Sequence, residues 1–324
     1  MYDQFGRNIR YLRVSVTDRC NLRCRYCMPE EGVEWVDHSA ILSYEQIAHL
    51  VRLAAGLGVE KVRLTGGEPL VRKGLAGLVR EIKAIKGIRT VNLTTNGVLL
   101  AEQLPDLLEA GLDGVNLSLD TLDREQFAAL TRRDELPRAL EGLEAALAAP
   151  GLTVKVNCVP SGGNDAQLVP LASLAKDRNL SVRFIELMPI GLGDTLTRRT
   201  EEEVLARLEE VFGTAISCPT DPLSGPSRNV TFPGFRGQVG FISAVSHQFC
   251  QSCNRVRLTA TGFLKTCLQY DHGVDLKALL DAGADDATLQ AAMADAINHK
   301  PASHHFGGQR EAADEGRNMN QIGG

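Results

Sequence analysis

The chain has few aromatic residues, no long apolar segment and no excess of basic residues. Of its 324 residues, 5% are aromatic, one is Trp and 44% are hydrophobic, a composition typical of globular proteins. No apolar segment approaches the roughly 20 residues that span a bilayer, and the N-terminus, MYDQFGRNIRYLRVSV, lacks the zones of a secretory signal. We therefore expect a cytoplasmic protein with no membrane partner.

The charge balance argues against a nucleic-acid partner. The net charge is −5, from 35 basic and 40 acidic residues, so the chain lacks the basic character that general nucleic-acid binding requires. We expect no nucleic-acid partner. An anionic substrate would have to be bound by arginines gathered at one place.

Six of the eight cysteines form two triplets near the two ends of the chain. The first triplet is Cys20, Cys24 and Cys27, and the second is Cys250, Cys253 and Cys267. Because a reducing cytoplasm disfavours structural disulfides, tight triplets are better explained as metal ligands. The isolated Cys158 lies in an apolar segment, VKVNCV, and is predicted to be a small buried residue.

Between residues 10 and 187, short β-branched segments alternate with longer helical patterns, which is typical of a parallel βα repeat. A helix is predicted from Ser43 to Leu57, with a capping box between Ser43 and Gln46. The pattern alone does not distinguish an open doubly wound sheet from a partial barrel. Six strands are predicted, at Tyr11–Val16, Lys61–Thr65, Thr90–Thr94, Gly114–Leu119, Thr153–Val159 and Ser181–Leu187.

The repeat ends after residue 187, where prolines and glycines interrupt it. A domain boundary is predicted at residue 190, giving a first domain at 1–190 and a second at 191–324. The second domain is predicted to be an α+β extension that begins with a helix capped by Thr200 and Glu203. Its predicted strands are Gln238–Val245, Asn254–Thr259 and Phe263–Leu268, the last two forming a hairpin.

The first cysteine triplet has the spacing C-x3-C-x2-C and directly follows the first predicted strand. Three thiolates suit a cubane iron–sulfur cluster, whose fourth iron is then free to bind a small molecule. A zinc knuckle without its fourth ligand is the alternative, although structural zinc usually has four protein ligands.

The second triplet has the spacing C-x2-C-x13-C and again provides three thiolates. A second cluster with an open iron is one interpretation. A zinc site of three cysteines and one histidine is the other, because His247 and His272 lie close to the triplet in sequence.

The first triplet resembles the signature of the radical S-adenosylmethionine (SAM) superfamily, in which the open iron binds SAM. The segment Thr65–Pro69, TGGEP, is similar to the GGEP motif of that superfamily. The resemblance implies a partial (β/α)6 barrel of the TIM type, a [4Fe-4S] cluster on Cys20, Cys24 and Cys27, and SAM as cofactor. It also implies SAM-binding residues, which are Tyr26, Gly67, Glu68, Ser118 and Met188.

The chain further resembles the GTP 3′,8-cyclase family of molybdenum cofactor biosynthesis, over nearly its whole length. Residues 249–258, FCQSCNRVRL, are similar to that family's F-C-x-x-C-x-R-x-R motif. The resemblance implies a second [4Fe-4S] cluster on Cys250, Cys253 and Cys267, facing the purine of GTP. Other matching segments are RVSVTDRC at 13–20, VRLTGGEP at 62–69, LTTNG at 93–97, VKVN at 154–157, RFIELM at 183–188 and NMNQIGG at 318–324.

Further residue roles follow from the same resemblance. Arginine suits a triphosphate, because its planar guanidinium pairs with two phosphate oxygens at once. The terminal Gly323 and Gly324 are implied to reach into the barrel near the site of SAM cleavage, and are assigned to catalysis with Arg255 and Arg257. The implied GTP contacts are Arg13, Arg63, Thr94, Lys155, Arg255 and Arg257.

The resemblance implies a lyase reaction that begins with reductive cleavage of SAM to a 5′-deoxyadenosyl radical. That radical takes hydrogen from the 3′ carbon of the GTP ribose, and the ribose radical attacks carbon 8 of the guanine. Reduction near the second cluster completes (8S)-3′,8-cyclo-7,8-dihydroguanosine 5′-triphosphate. The implied partners are a low-potential electron donor such as flavodoxin or ferredoxin, and cyclic pyranopterin monophosphate synthase downstream. A homodimer is compatible with the sequence.

Two alternatives remain at this point. A radical SAM enzyme that modifies a peptide with the help of an auxiliary cluster would have similar cysteines, although such enzymes usually carry longer cysteine-rich extensions. A zinc-stabilised nucleic-acid-binding protein would explain both triplets without catalysis, but the acidic net charge argues against it.

Overall fold

The computed structural model describes residues 1–34, 36–219, 225–306, 308, 311 and 313–323. All six strands of the predicted βα repeat are present, which confirms that part of the prediction. They are β1 (Tyr11–Ser15), β2 (Lys61–Thr65), β3 (Thr90–Thr95), β4 (Gly114–Ser118), β5 (Thr153–Cys158) and β6 (Ser181–Ile185).

Both predicted capping boxes are present. Before the first helix, the Ser43 hydroxyl accepts a hydrogen bond from Gln46 N at 3.1 Å, and Gln46 Oε1 accepts one from Ser43 N. No helix among the described residues is both long and apolar enough to cross a bilayer. The helices are α1 (Tyr44–Gly56), α2 (Leu75–Lys83), α3 (Leu100–Glu109), α4 (Arg124–Thr131), α5 (Leu136–Ala148), α6 (Leu168–Ser173), α7 (Glu201–Phe212), α8 (Leu276–Asp281) and α9 (Asp286–Asn298).

The C-terminal part of the chain adds strands to both edges of the same sheet. The predicted hairpin is present, since β10 (Arg255–Leu258) and β11 (Phe263–Lys265) pair in antiparallel fashion. This hairpin is not separate from the repeat, because β10 also pairs in parallel with β1, and β9 (Gln238–Ile242) pairs in parallel with β6. The added strands are β7 (Ile216–Ser217), β8 (Arg228–Thr231), β9 (Gln238–Ile242), β10 (Arg255–Leu258), β11 (Phe263–Lys265) and β12 (Gly273–Asp275).

The result is a 12-stranded sheet in the order β12-β11-β10-β1-β2-β3-β4-β5-β6-β9-β8-β7. Its centre is the parallel α/β arrangement expected of a radical SAM fold, and its outer strands are the antiparallel extension. Strands from both sides of residue 190 share this sheet, and the domain division at that residue stays a prediction.

The period of two along a strand separates an apolar face from a polar one. Val14, Leu64 and Leu93 are fully buried and form part of the main core, together with buried residues of the helices. Arg13 lies opposite both Arg63 and Arg257 in the ladders, so charged side chains from three strands are at one level on the other face. This polar face forms the wall of the site.

Candidate active site

A cavity of about 310 Å³ lies against the polar face of the parallel strands. All six cysteines of the two triplets line it, so the fold joins segments more than 200 residues apart. Several predicted contacts line it too, and they are Tyr26, Gly67, Glu68, Ser118, Met188, Arg13, Arg63, Thr94, Lys155, Arg255 and Arg257. The position fits a parallel α/β sheet, whose sites form at the carboxyl ends of the strands.

The first triplet lies in the loop that follows β1. Leu22 N donates a hydrogen bond to Cys20 Sγ at 3.4 Å, and Cys27 N donates one to Cys24 O at 2.9 Å. Burial raises the pKa of Cys20 to about 11 and that of Cys27 to about 12. These thiols therefore hold their protons in the absence of a metal, and cluster binding has to displace them.

Both triplets suit an iron–sulfur cluster. All six cysteines are free thiols rather than disulfides. In the part of the chain that the structure describes, no three His, Cys, Asp or Glu side chains converge to hold a single ion. A cubane cluster holds each of three thiolates on a different iron atom, and each triplet provides three free thiols beside one cavity.

The second triplet is assembled by a short turn and the β10–β11 hairpin. Cys253 precedes β10 and Cys267 follows β11. Burial raises the pKa of Cys253, but the charges of Lys300 and Arg255 outweigh it and leave that pKa at about 6. The structure therefore favours the Cys253 thiolate, the form that binds iron.

The two histidines considered for a zinc site lie away from this cavity. His247 Nε2 is 3.2 Å from Glu202 Oε1 on α7, and the His272 ring stacks on Tyr270. The histidine that does line the cavity is His304, whose backbone N donates to Cys250 Sγ at 3.4 Å. Sequence spacing suggested the other two only because they are near the cysteines along the chain.

The GGEP loop packs closely on the loop that carries the first triplet. A Cβ atom at Gly67 would lie 2.4 Å from Arg19 O, and one at Gly66 would lie 2.6 Å from Thr17 O. Gly67 N and Glu68 N in turn donate to Thr17 O and Arg19 O at 2.8 Å each. Only glycine allows this approach of two backbones, and the two loops are thereby held in register.

The Glu68 carboxylate is 1% exposed and lies at the centre of this contact. Burial raises its pKa to about 7, although it accepts hydrogen bonds from Asn96 N at 2.7 Å, Leu70 N at 3.0 Å and Thr95 Oγ1 at 2.8 Å. A buried carboxyl with a pKa near neutrality can accept a cationic partner and lose its proton in the process.

Tyr26 has a partner that sequence reasoning missed. Its hydroxyl donates a 2.7 Å hydrogen bond to Asp120 Oδ2, and Asp120 Oδ1 accepts from Val159 N at 2.8 Å. Burial raises the pKa of Asp120 to about 6. The only signal for it was its position, two residues after Ser118 at the end of NLSLD.

Arginines from several strands line one cavity, and we call them the cationic wall. They are Arg13 on β1, Arg63 on β2, and Arg255 and Arg257 on β10. Burial, and then the charge of Arg257, lower the pKa of Arg13 well below its usual range. Burial and Arg255 likewise lower the pKa of Arg257 to about 10. Since cations are brought together here out of water, an anion bound among them would lower the free energy of the folded protein.

The structure adds members of this wall that were not predicted. Arg183 on β6 is 5% exposed, and burial together with Arg63 lowers its pKa to about 10. Within the described residues, Nε of Arg63 and Nε of Arg183 are buried without a hydrogen-bond partner. Lys61, Asn116 and Asn157 also line the cavity. Their signal in the sequence was the alternation of polar residues along each strand.

The C-terminal tail ends among these arginines. Gly323 O accepts hydrogen bonds from Thr65 Oγ1 and Arg257 Nη1 at 3.1 Å each, and from Arg13 Nη2 at 3.4 Å. Gly323 has φ +82°, and a Cβ atom there would lie 3.1 Å from Ser15 Cβ. The predicted site residue Gly324 lies outside the described residues.

Comparison with known families divides the chain between two family models. Residues 14–175 match the Radical SAM superfamily, and residues 180–306 match Molybdenum Cofactor Synthesis C. The chain is 46% identical to the GTP 3′,8-cyclase of Moorella thermoacetica and 47% identical to that of Heliobacterium modesticaldum. Both alignments cover 100% of this chain and 100% of the relative.

Among solved structures, the chain is similar to Streptococcus suis SuiB bound to S-adenosylmethionine. The TM-score is 0.60 at 16% identity, over 90% of this chain and 68% of SuiB. At that identity the likeness shows a shared fold.

Proposed function

The chain belongs to the GTP 3′,8-cyclase family of radical SAM enzymes, and on that basis we propose that it converts GTP to (8S)-3′,8-cyclo-7,8-dihydroguanosine 5′-triphosphate. This is the first step of molybdenum cofactor biosynthesis. The observation that carries the proposal is the single cavity lined by both cysteine triplets and by the cationic wall. A cofactor and a nucleotide bound there would share one enclosed volume.

At one end of the cavity, the thiolates of Cys20, Cys24 and Cys27 would hold a [4Fe-4S] cluster. The chemistry that the cluster would supply there is the one-electron reductive cleavage of SAM to the 5′-deoxyadenosyl radical. Glu68 would accept the ammonium group of SAM, and this pairing would offset the cost of keeping the buried carboxyl charged. Tyr26, Gly67, Ser118 and Met188 line the same cavity and would complete the SAM site.

At the other end, Cys250, Cys253 and Cys267 would hold the second [4Fe-4S] cluster. With three thiolate ligands, such a cluster would supply an iron that can bind the purine. Lys300 and Arg255 already favour the thiolate of Cys253, which is the form that binds iron.

The cationic wall of the same cavity would bind the triphosphate. Guanidinium groups pair with phosphate oxygens at fixed geometry, and this wall presents them from β1, β2 and β10 at one level of the sheet. Binding of the triphosphate would fix the ribose relative to SAM, and such positioning contributes much of the rate in reactions between two bound molecules. The residues assigned to this role are Arg13, Arg63, Thr94, Lys155, Arg255 and Arg257.

The chemistry defines the partners we propose. Both the cleavage of SAM and the final reduction need electrons from a low-potential donor, such as flavodoxin or ferredoxin. The product would be consumed by cyclic pyranopterin monophosphate synthase.

One experiment tests the proposal. The protein is reconstituted with iron and sulfide under argon and incubated with GTP, SAM and a strong reductant. We expect 5′-deoxyadenosine, methionine and a cyclised product with the mass of GTP, identified by mass spectrometry and NMR. A matched reaction without GTP controls for uncoupled SAM cleavage. Recovery of unchanged GTP from protein with both clusters loaded would contradict the proposal, and zinc in place of iron would favour a structural role.

A further inference from the structure

A buried ion pair fastens the C-terminal tail to β11. The Lys265 side chain is fully buried, and its ammonium donates to the Glu315 carboxylate and, at 2.6 Å, to Tyr270 O. The Glu315 side chain is 2% exposed. Its carboxylate also accepts from Arg317 N at 2.8 Å, and from Arg317 Nε and Nη2 at 2.9 Å each.

The backbone around Glu315 is attached to the same part of the molecule. Asp271 N donates to Ala313 O at 3.0 Å, and Tyr270 and Asp314 form an isolated antiparallel bridge. The turn after β11 therefore holds the start of the tail through main-chain and side-chain contacts. Beyond Arg317, five described residues lead to Gly323, whose carbonyl lies among the arginines.

The start of the tail at Glu315 and its tip at Gly323 are connected through the paired strands β10 and β11. Lys265 on β11 lies directly opposite Arg257 on β10. Arg257 in turn donates to Gly323 O. The ion pair and the tip of the tail therefore both contact this pair of strands, which connects the start of the tail with the atom that Arg257 and Arg13 contact.

Neither Lys265 nor Glu315 lines the cavity, so neither is placed to contact SAM or a nucleotide. A buried ion pair contributes little stability compared with apolar residues of the same volume, but losing one partner leaves the other charged and unpaired. The best-attested role of such buried pairs is to select one conformation of the chain over others. Here the arrangement they would specify is the path of the tail.

We propose that Lys265 and Glu315 are positioning residues for cyclisation, which set the place of the Gly323 carbonyl between Arg13 and Arg257. The inference rests on the proposed function for its activity readout. Without the ion pair, the tail remains attached at Ile322, which is fully buried against an apolar group that includes Ile190 and Phe306. The tail then keeps this anchor and its main-chain contacts at Ala313 and Asp314 but loses its side-chain contact with β11, and the Gly323 carbonyl shifts relative to the guanidinium groups.

The test uses the reconstituted holoenzyme and three variants, Glu315→Gln, Lys265→Met and the double variant. The matched control is Asp134→Asn, which removes an exposed ion pair with Arg124 far from the tail in sequence. Hydrogen exchange of the amides of residues 316–323 measures the tail directly. The ratio of cyclised product to 5′-deoxyadenosine measures what fraction of the SAM cleavage leads to cyclised product.

We expect Glu315→Gln to speed tail exchange at least tenfold and to lower the product ratio at least tenfold, while iron content and SAM cleavage stay near wild type. The double variant distinguishes positioning from stability. It leaves neither charge of the pair unpaired, so its melting temperature should recover towards wild type, yet its product ratio should stay low. The control should match wild type in every measurement.

Wild-type exchange and a wild-type product ratio in the single and double variants would overturn the inference. So would a double variant that regains the full product ratio together with its stability, because that result indicates a merely structural role. If Glu315→Gln does not fold, Lys265→Met and the double variant decide the question. If the wild type itself forms no product, the proposed function has failed, and the exchange measurement alone decides whether the pair positions the tail.

Discussion

Asn157 and Arg183 lie directly opposite each other in the parallel ladder between β5 and β6. Both side chains line the cavity. Within the described residues, Asn157 Oδ1 and Arg183 Nε are buried with no hydrogen-bond partner. Buried polar atoms without partners are costly, so this pair raises the free energy of the folded protein until a ligand arrives.

Replacing Arg183 by Met should therefore stabilise the ligand-free protein, by about 1 kcal/mol, because it removes a desolvated charge and keeps the apolar volume. The same change should reduce the rise in melting temperature that inorganic tripolyphosphate causes in the wild type. Calorimetry with and without tripolyphosphate measures both effects. Arg52→Met, on the exposed side of α1, is the control, and it should leave both values unchanged. An undiminished tripolyphosphate effect in the Arg183 variant would exclude this residue from anion binding.

The raised pKa of Glu68 predicts the pH dependence of SAM binding. Burial raises this pKa from 4.5 to about 7, so the folded protein binds this proton more tightly than the unfolded chain. Stability should then fall as the pH rises from about 4.5 to 7. In the proposed SAM site, binding needs the Glu68 carboxylate, so the affinity for SAM should rise with pH up to about 7 and then level off, with a loss of up to about tenfold for each pH unit below.

Equilibrium dialysis of SAM against the oxidised, cluster-loaded protein measures this profile between pH 6 and 8. Glu68→Gln should bind weakly and without the rise. Glu81→Gln on α2 is the control, since Glu81 is exposed, and it should keep the wild-type profile. A rise that persists in Glu68→Gln would assign the pH dependence to another group, such as Asp120.

Local patterns were enough to predict the repeat. The period of two along each strand and the capping boxes before α1 and α7 are properties of a few adjacent residues, and these elements are present. The pairing of β10 with β1 was not predictable in this way. Tyr11 and Arg255 are partners in the ladder although they lie far apart in the sequence. The residue pattern of a strand does not indicate which distant strand will pair with it.

The residues of the site were likewise predictable only where their spacing in the sequence forms a motif. Motifs indicated the cysteines and Glu68, because their spacing is itself the signal. Asp120 is significant only because Tyr26, 94 residues away, donates a hydrogen bond to it. Lys265 and Glu315 are separated by 50 residues and match no motif. A charged residue whose partner is remote in sequence cannot be distinguished from a surface charge until the fold is known.

The two cysteine triplets should respond differently to serine substitution, because a serine oxygen is a poorer iron ligand than a thiolate. Cys20→Ser, Cys24→Ser or Cys27→Ser should abolish SAM cleavage. Cys250→Ser, Cys253→Ser or Cys267→Ser should remove the iron of the second cluster and stop cyclisation, while some uncoupled SAM cleavage survives.

Iron content and the yields of 5′-deoxyadenosine and cyclised product are the measurements. Cys218→Ser is the matched control, because Cys218 lies outside the cavity and should tolerate the change. Wild-type 5′-deoxyadenosine from Cys20→Ser, or normal GTP conversion by Cys253→Ser, would contradict the assignment of that triplet.

The tip of the tail should be essential for cyclisation and unimportant for folding. Gly323 has φ +82°, a conformation that costs other residues about 1–2 kcal/mol, and a Cβ atom there would lie 3.1 Å from Ser15 Cβ. We therefore expect Gly323→Ala to displace the carbonyl that Arg13 and Arg257 contact, and removal of Gly323 and Gly324 to eliminate it. A displacement of about 1 Å is enough to lower such a rate about a hundredfold. Iron content and the melting temperature should stay near wild type, because the tip contributes little to the core.

Gly316→Ala is the matched control, since a Cβ atom there meets nothing within 4 Å, and it should turn over normally. Single-turnover product formation under argon measures the effect, and normal turnover by the truncated enzyme would show that the tip has no part in the reaction.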